Sequence, residues 1–151
     1  LYKMKLPKCL TDLLKMKYLR IFVVILVACL ILKCISGFRE GFESNPATFS
    51  SDTKDGKKLV WFYADWCGHC KTMHDAWDTA AKKINAAGKN IMMKINVGDA
   101  KNKNHQKVSE KYGINGFPTI MMLENGMKKA EYNGNRTAKD FEDFCKSNGL
   151  I

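Results

Sequence analysis

No glycine-rich nucleotide loop, no internal repeat and no second Cys-x-x-Cys occurs in the 151 residues of this chain. Those absences leave no sequence sign of phosphate-loop folds or repeat arrays. A zinc site built on Cys67, Cys70 and His74 lacks an evident fourth ligand, so metal binding is not expected. Length is limited as well: there is room for one compact domain of roughly 100 residues and an appendage. The net charge of +10 lacks the basic-aromatic clustering that nucleic-acid binding uses. Six basic residues precede an apolar run, and after Phe49 the balance is 17 basic against 12 acidic residues, spread along the chain. No nucleic-acid partner is expected.

What is present starts with that apolar run. Ile21 to Leu32 contains no polar side chain, and it extends to Ile35 if Lys33 snorkels toward headgroups. Ahead of it stand Lys3, Lys5, Lys8, Lys15, Lys17 and Arg20 against one acid, Asp12, an excess that stays on the cytoplasmic side of a membrane. The chain after the run is then expected on the lumenal or extracellular side, in the endoplasmic reticulum or an equivalent compartment. No Ala-x-Ala cleavage signal follows, only Cys34-x-Ser36, so an uncleaved anchor over 21–35 is preferred to a signal peptide. Cys34, at its edge, is a candidate for palmitoylation. The chain opens on Leu1, with Met4 as a plausible start.

From Ser36 to Gly56 the composition turns to Gly, Ser, Asn, Asp, Thr and Pro, which reads as a flexible linker with an abbreviated element near Phe49. The expected organisation is therefore a basic segment over 1–20, a membrane anchor over 21–35, a linker over 36–56 and a folded domain over 57–151. Within that domain apolar runs alternate with helical patterns. Leu59–Ala64 reads as a buried strand and Cys67 to about Ala87 as a helix closed at Gly88. Asn90–Asn96 is a second strand, and about His105–Tyr112 a short helix ending at Gly113. Thr119–Leu123 and Lys128–Tyr132 pair as a hairpin through Asn125-Gly126. About Ala138–Ser147 forms a last helix with Thr137 as N-cap and Cys145 facing the core. His74 and His105 are expected at the surface.

The chemistry is concentrated in Trp66-Cys67-Gly68-His69-Cys70, at a strand-to-helix junction. A cysteine on a helix N-terminus meets unpaired backbone N–H groups and the positive end of the macrodipole, which favour its thiolate. A second thiol one turn further in can close a small ring with it. Thiol-disulfide chemistry follows from that spacing.

The order strand, Cys-x-x-Cys helix, strand, helix, hairpin, helix, with Phe117-Pro118 ahead of the hairpin, resembles the thioredoxin superfamily over about Leu59–Leu150. Phe62 to Cys70 is similar to the active-site segment of protein disulfide isomerase domains, and Tyr112 to Ile120 to their second signature. The resemblance implies an α/β thioredoxin fold, a central mixed sheet flanked by helices, behind the N-terminal transmembrane helix. It implies Cys67 as nucleophile, Cys70 as resolving thiol, and no cofactor beyond the redox-active Cys67–Cys70 disulfide. It also implies a cis-proline at Pro118 and substrate contacts from Trp66, Gly68, Phe117 and Pro118. Lys94 and Arg136 match family positions that help tune the second thiol. His69 between the cysteines stabilises a thiolate and makes the disulfide more oxidising, toward an isomerase near −180 mV and away from a thioredoxin near −270 mV, a gap of roughly 4 kcal/mol.

One family position is altered. Six residues before Cys67, where isomerases place a buried glutamate and thioredoxins an aspartate, this chain has Trp61. Water or Asp65 then stands as the substitute proton acceptor. The expected activity is thiol-disulfide oxidoreduction of the isomerase type on cysteine-containing protein substrates, with an unidentified thiol or disulfide partner resetting the pair. The alternatives are a thioredoxin-like reductase and a redox-inert, chaperone-like binding module. Asn135-Arg136-Thr137 is a glycosylation sequon, accessible if the domain is lumenal.

Overall fold

The computed structural model describes residues 8–36 and 42–151, with side chains over 16–30 and over 42–151 except 87. The chain divides into two compact units, 1–39 and 40–151. In the first, α1 (Lys8–Ser36) is one continuous helix of 29 residues, about 43 Å long at 1.5 Å per residue. It runs well beyond the expected 21–35. Every described side chain from Met16 to Leu30 is exposed, Phe22 and Val24 among them. Among the described residues no helix is long and apolar enough to cross a membrane. Lys33, Cys34 and Ile35, on which the anchor's far end and its lipidation site depend, lie outside the described side chains.

The second unit begins earlier than the expected 57. Within 36–56, which composition assigns to a linker, the chain forms β1 (Phe42–Glu43) and the one-turn α2 (Phe49–Asp52). The reason is Phe49, which is fully buried and stacks edge-on against Phe62 and Tyr112 at 5.7 and 5.5 Å. One aromatic side chain outweighs a turn-rich composition.

The remaining elements are β2 (Lys57–Tyr63), α3 (Gly68–Ile84), β3 (Met92–Asn96), α4 (Lys103–Tyr112), β4 (Thr119–Glu124), β5 (Met127–Glu131) and α5 (Ala138–Ser147). The five strands form one mixed sheet ordered β1-β3-β2-β4-β5. β3 pairs in parallel with both β1 and β2, whereas β2–β4 and β4–β5 are antiparallel. Side chains alternate across this sheet with period two. Leu59, Trp61, Met92, Ile120 and Met122 meet α3 and α5 on one face, while Val60, Phe62, Met93, Ile95 and Leu123 meet α2 and α4 on the other.

Local boundaries follow side-chain hydrogen bonds. α3 ends at Ile84, short of the expected Ala87, because Asn85 turns back onto β3. Its Oδ1 accepts from the Ile91 and Met92 N–H groups, both at 2.9 Å, and its Nδ2 donates to the Met92 carbonyl at 2.8 Å. The same bonds delay β3 from Asn90 to Met92, and the intervening Ala86–Gly88 is a 3-10 turn. α4 starts two residues before the expected His105, since the Asn102 side chain accepts from the Asn104 N–H and caps it. Gly113 closes α4 in the left-handed region, φ +66°. Asn125 and Gly126 both take positive φ, 51° and 73°, as a tight two-residue hairpin requires. Thr137 caps α5 by accepting from the Asp140 N–H.

Candidate active site

β2 leads straight into the site. Tyr63 ends the strand, Ala64 packs against it, and Gly98 passes so close that a Cβ there would lie 2.2 Å from that of Ala64. This approach lets the Trp66 indole donate to the Gly98 carbonyl at 3.0 Å. Trp66 is 70% exposed, and its ring meets Phe117 edge-on at 5.6 Å. The peptide bond between Phe117 and Pro118 is cis, as the resemblance implies. Trp66 and Phe117 thus form an apolar rim, with Pro118 continuing it in sequence.

Under that rim Cys67 is the N-cap of α3. Its sulfur accepts from the Cys70 N–H at 3.3 Å, and its own N–H donates to Ala64. Both cysteines are free thiols and both are buried, Cys67 at 6% and Cys70 at 2% exposure. Burial first, and then the hydrogen bond with Cys67, push the Cys70 thiol up to about 12. Cys70 therefore attacks only when something favours its ionisation. Tyr63 is also raised, by burial first and then by Glu43, which accepts its hydroxyl proton at 2.6 Å.

His69 and Arg136 line one small cleft with Thr72 and Met73. Arg136 also reaches a second, polar cleft beside Pro118 and Tyr132. Lys94 lies opposite Trp61 in the β2–β3 pairing and also reaches α3. Lying on the α3 face of β3, it is 7% exposed, and its Nζ sits 3.3 Å from Asp78 Oδ1 and 3.2 Å from His74 Nε2. Asp78 Oδ2 in turn lies 3.5 Å from His74 Nδ1. A buried acid is thus present after all, supplied by α3 instead of β2. Sequence reasoning missed Asp78; the signal available was its spacing of four from His74 and eight from Cys70 along one helical face.

Asn96 donates to one oxygen of the Asp65 carboxylate at 2.6 Å. His74 is half-exposed yet held by Lys94 and Asp78, while His105 accepts from the Asp99 N–H. Cys145 is fully buried, and burial pushes its thiol up to about 12. No group of three or more His, Cys, Asp or Glu residues is placed to hold a metal ion among the described residues.

The family model described as thioredoxin matches residues 41–147. The chain belongs to the thioredoxin family. This thioredoxin-family chain is similar to protein disulfide-isomerase A6 of Mus musculus, 34% identical over 129 residues covering 81% of this chain and 28% of the relative. It is similar to protein disulfide-isomerase TMX3 of Xenopus laevis, 35% identical over 98 residues covering 65% of this chain and 21% of the relative. It therefore spans about a quarter of the length of these curated relatives. Among solved structures, human ERp44 in its zinc-bound form matches with a TM-score of 0.61 at 23% identity, over 72% of this chain and 31% of that one. The first two thioredoxin domains of Naumovozyma dairenensis Eps1p match with a TM-score of 0.61 at 25% identity, over 76% and 42%.

Proposed function

We propose that this chain is a thiol-disulfide oxidoreductase of the protein disulfide isomerase type, acting on cysteines of folding or secreted proteins. The observation that carries the proposal is Cys67 capping α3, with Cys70 one turn behind it beneath the Trp66–Phe117 rim. The Cys67 thiolate attacks a substrate disulfide; a Cys67–substrate S–S bond forms and the other substrate sulfur leaves as thiolate and is protonated. Cys70 then gives up its proton, attacks the Cys67 sulfur and displaces the substrate thiolate. Two electrons pass from the pair to the substrate. Run backward, the same steps oxidise a substrate dithiol. His69 favours that direction by stabilising the reduced pair, with Arg136 beside it in the cleft. The names of the curated relatives, protein disulfide-isomerases, support the same class.

The apolar residues 21–35 are the membrane anchor in this reading, with basic residues before it on the cytoplasmic side and the redox unit on the lumenal or extracellular side. The run Ile21–Leu32, free of polar side chains, and the six basic residues ahead of it support this reading. Protease protection of the chain in microsomes, read together with glycan addition at Asn135, tests the topology.

Oxidative refolding of a scrambled-disulfide protein tests the activity. The chain should accelerate it, and the double substitution Cys67→Ser, Cys70→Ser should abolish the acceleration; no acceleration by the unsubstituted chain refutes the assignment. A pair potential near −270 mV would place the protein with reductases instead.

A further inference from the structure

Trp61 stands in β2 six residues before Cys67, where the acid of the resemblance is missing. It is 1% exposed, faces α3, and belongs to the same buried cluster as Cys67 and Cys70. Lys94 and Ile120 flank it on the neighbouring strands, and its ring packs against Tyr63, His74 and Trp77 at centroid distances of 5.1, 6.1 and 5.5 Å. For all that packing, its indole N–H is buried and has no hydrogen-bond partner among the described residues.

An indole nitrogen is a donor only, a neutral thiol is a weak acceptor, and a thiolate is a strong one. A buried donor left idle beside a thiol therefore gains a partner when that thiol ionises. Of the side chains around Cys70, those of Cys67, Tyr63 and His74 do not offer this. Cys67 opposes its ionisation, Tyr63 is committed to Glu43, and His74 is held between Lys94 and Asp78; the Ala64 backbone and Trp61 act in favour of the anion.

We propose that the Trp61 indole N–H is the hydrogen-bond donor that stabilises the Cys70 thiolate as it resolves the mixed disulfide. This rests on the reading of Cys67 and Cys70 as a catalytic pair. In the step concerned, Cys70 loses its proton to solvent and its sulfur attacks Cys67. The Cys67–Cys70 bond forms, the Cys67–substrate bond breaks, and the substrate sulfur leaves with the bonding pair and is then protonated. Trp61 accepts no proton; it holds the attacking anion in a buried site. Where a carboxylate acts by taking a proton away, this indole acts by lowering the energy of what remains.

The test uses the 151-residue chain in detergent with Cys9, Cys29, Cys34 and Cys145 replaced by alanine, reacted with the aromatic disulfide dithiobis(nitrobenzoate). Cys67 releases the first thionitrobenzoate and Cys70 the second, by ring closure. W61F should slow the second release about tenfold and move its pH profile up by about one unit while leaving the first release unchanged. W77F, which removes the other idle indole N–H, should change neither. Should W61F fail to fold, 3-benzothienylalanine at position 61, which keeps the bicyclic ring but replaces N–H by sulfur, should give the same slowing. An unchanged second release, or equal slowing of both releases, overturns the proposal. Failure of the refolding assay with both releases intact would instead refute the isomerase reading and leave this inference standing.

Discussion

On one face of the sheet Val60, Phe62, Met93, Ile95 and Leu123 meet Phe49, Val108 and Tyr112, and the Tyr112 hydroxyl donates to the Gly126 carbonyl at 3.0 Å. On the other face Leu59, Met92 and Ile120 share the interior with Cys67, Cys70, Cys145, the Lys94–Asp78 pair and two indole N–H groups that have no partner among the described residues. The first face is built for packing alone. The second holds groups whose burial costs free energy unless something offsets it, and they lie on the side where α3 presents its reactive N-terminus. Chemistry and stability are thus separable across one sheet.

The largest way to break that separation is on the packing face. Phe49→Ala removes a fully buried ring with two aromatic neighbours and should cost about 4 kcal/mol, read as a lowered urea midpoint. At temperatures where the variant stays folded, release of thionitrobenzoate by Cys67 should be unchanged. Next in size is Asp78→Asn, which leaves the Lys94 ammonium buried without its carboxylate and should cost about 3 kcal/mol. Replacing both, Asp78→Leu with Lys94→Met, should recover most of the loss. If the double variant is as unstable as the single, the ion pair is not the source of the cost.

How much of this was legible depended on which signal each residue carries. Short continuous apolar runs placed β2 and β4, Asn125-Gly126 placed the hairpin, and Thr137 placed the start of α5, because each is a local signal confined to a few adjacent residues. The Cys67–Cys70 geometry was equally legible, since the spacing itself sets it. Phe49 was read only as an abbreviated element, for its stability comes from Phe62 and Tyr112, distant in sequence. Asp78 escaped for the same reason: its partner Lys94 sits on another element, and its spacing from His74 and Cys70 marks a shared helical face without naming that partner. The early end of α3 was hidden in one side chain, Asn85, whose bonds to β3 no helical periodicity could reveal.

Gly98→Ala tests whether the rim of the site is coupled to the strand below it. The added Cβ would collide with Ala64 and lie 3.1 Å from the Trp66 indole nitrogen. Relief requires the Gly98 segment or Ala64 to shift, at about 2 kcal/mol. The bond from Trp66 to the Gly98 carbonyl should be disturbed, so that Trp66 fluorescence changes along with the melting temperature. Refolding activity on a protein substrate should fall more than release of thionitrobenzoate from the small disulfide, because only the larger substrate needs the Trp66–Phe117 rim.

Near neutral pH Cys145 has the smallest effect, since its contribution appears only in alkali. Its thiol is raised to about 12 by burial, whereas an unfolded cysteine ionises near 8.5. Below about pH 8.5 both states hold the proton, and the group adds no pH dependence. Above that the unfolded chain loses the proton first, so stability falls as pH rises and levels off only above the folded value. Across that window Cys145 contributes a slope of up to about 1.4 kcal/mol per pH unit. Cys70 contributes in the same direction, so the unsubstituted chain should show nearly twice the slope of Cys145→Ala over about pH 9–11, apart from lysine and tyrosine titration common to both. Urea unfolding at a series of alkaline pH values measures the difference. Equal slopes would mean that Cys145 ionises in the folded chain as readily as in the unfolded one, and the contrast between a buried structural thiol and a buried reactive one would lose its physical basis.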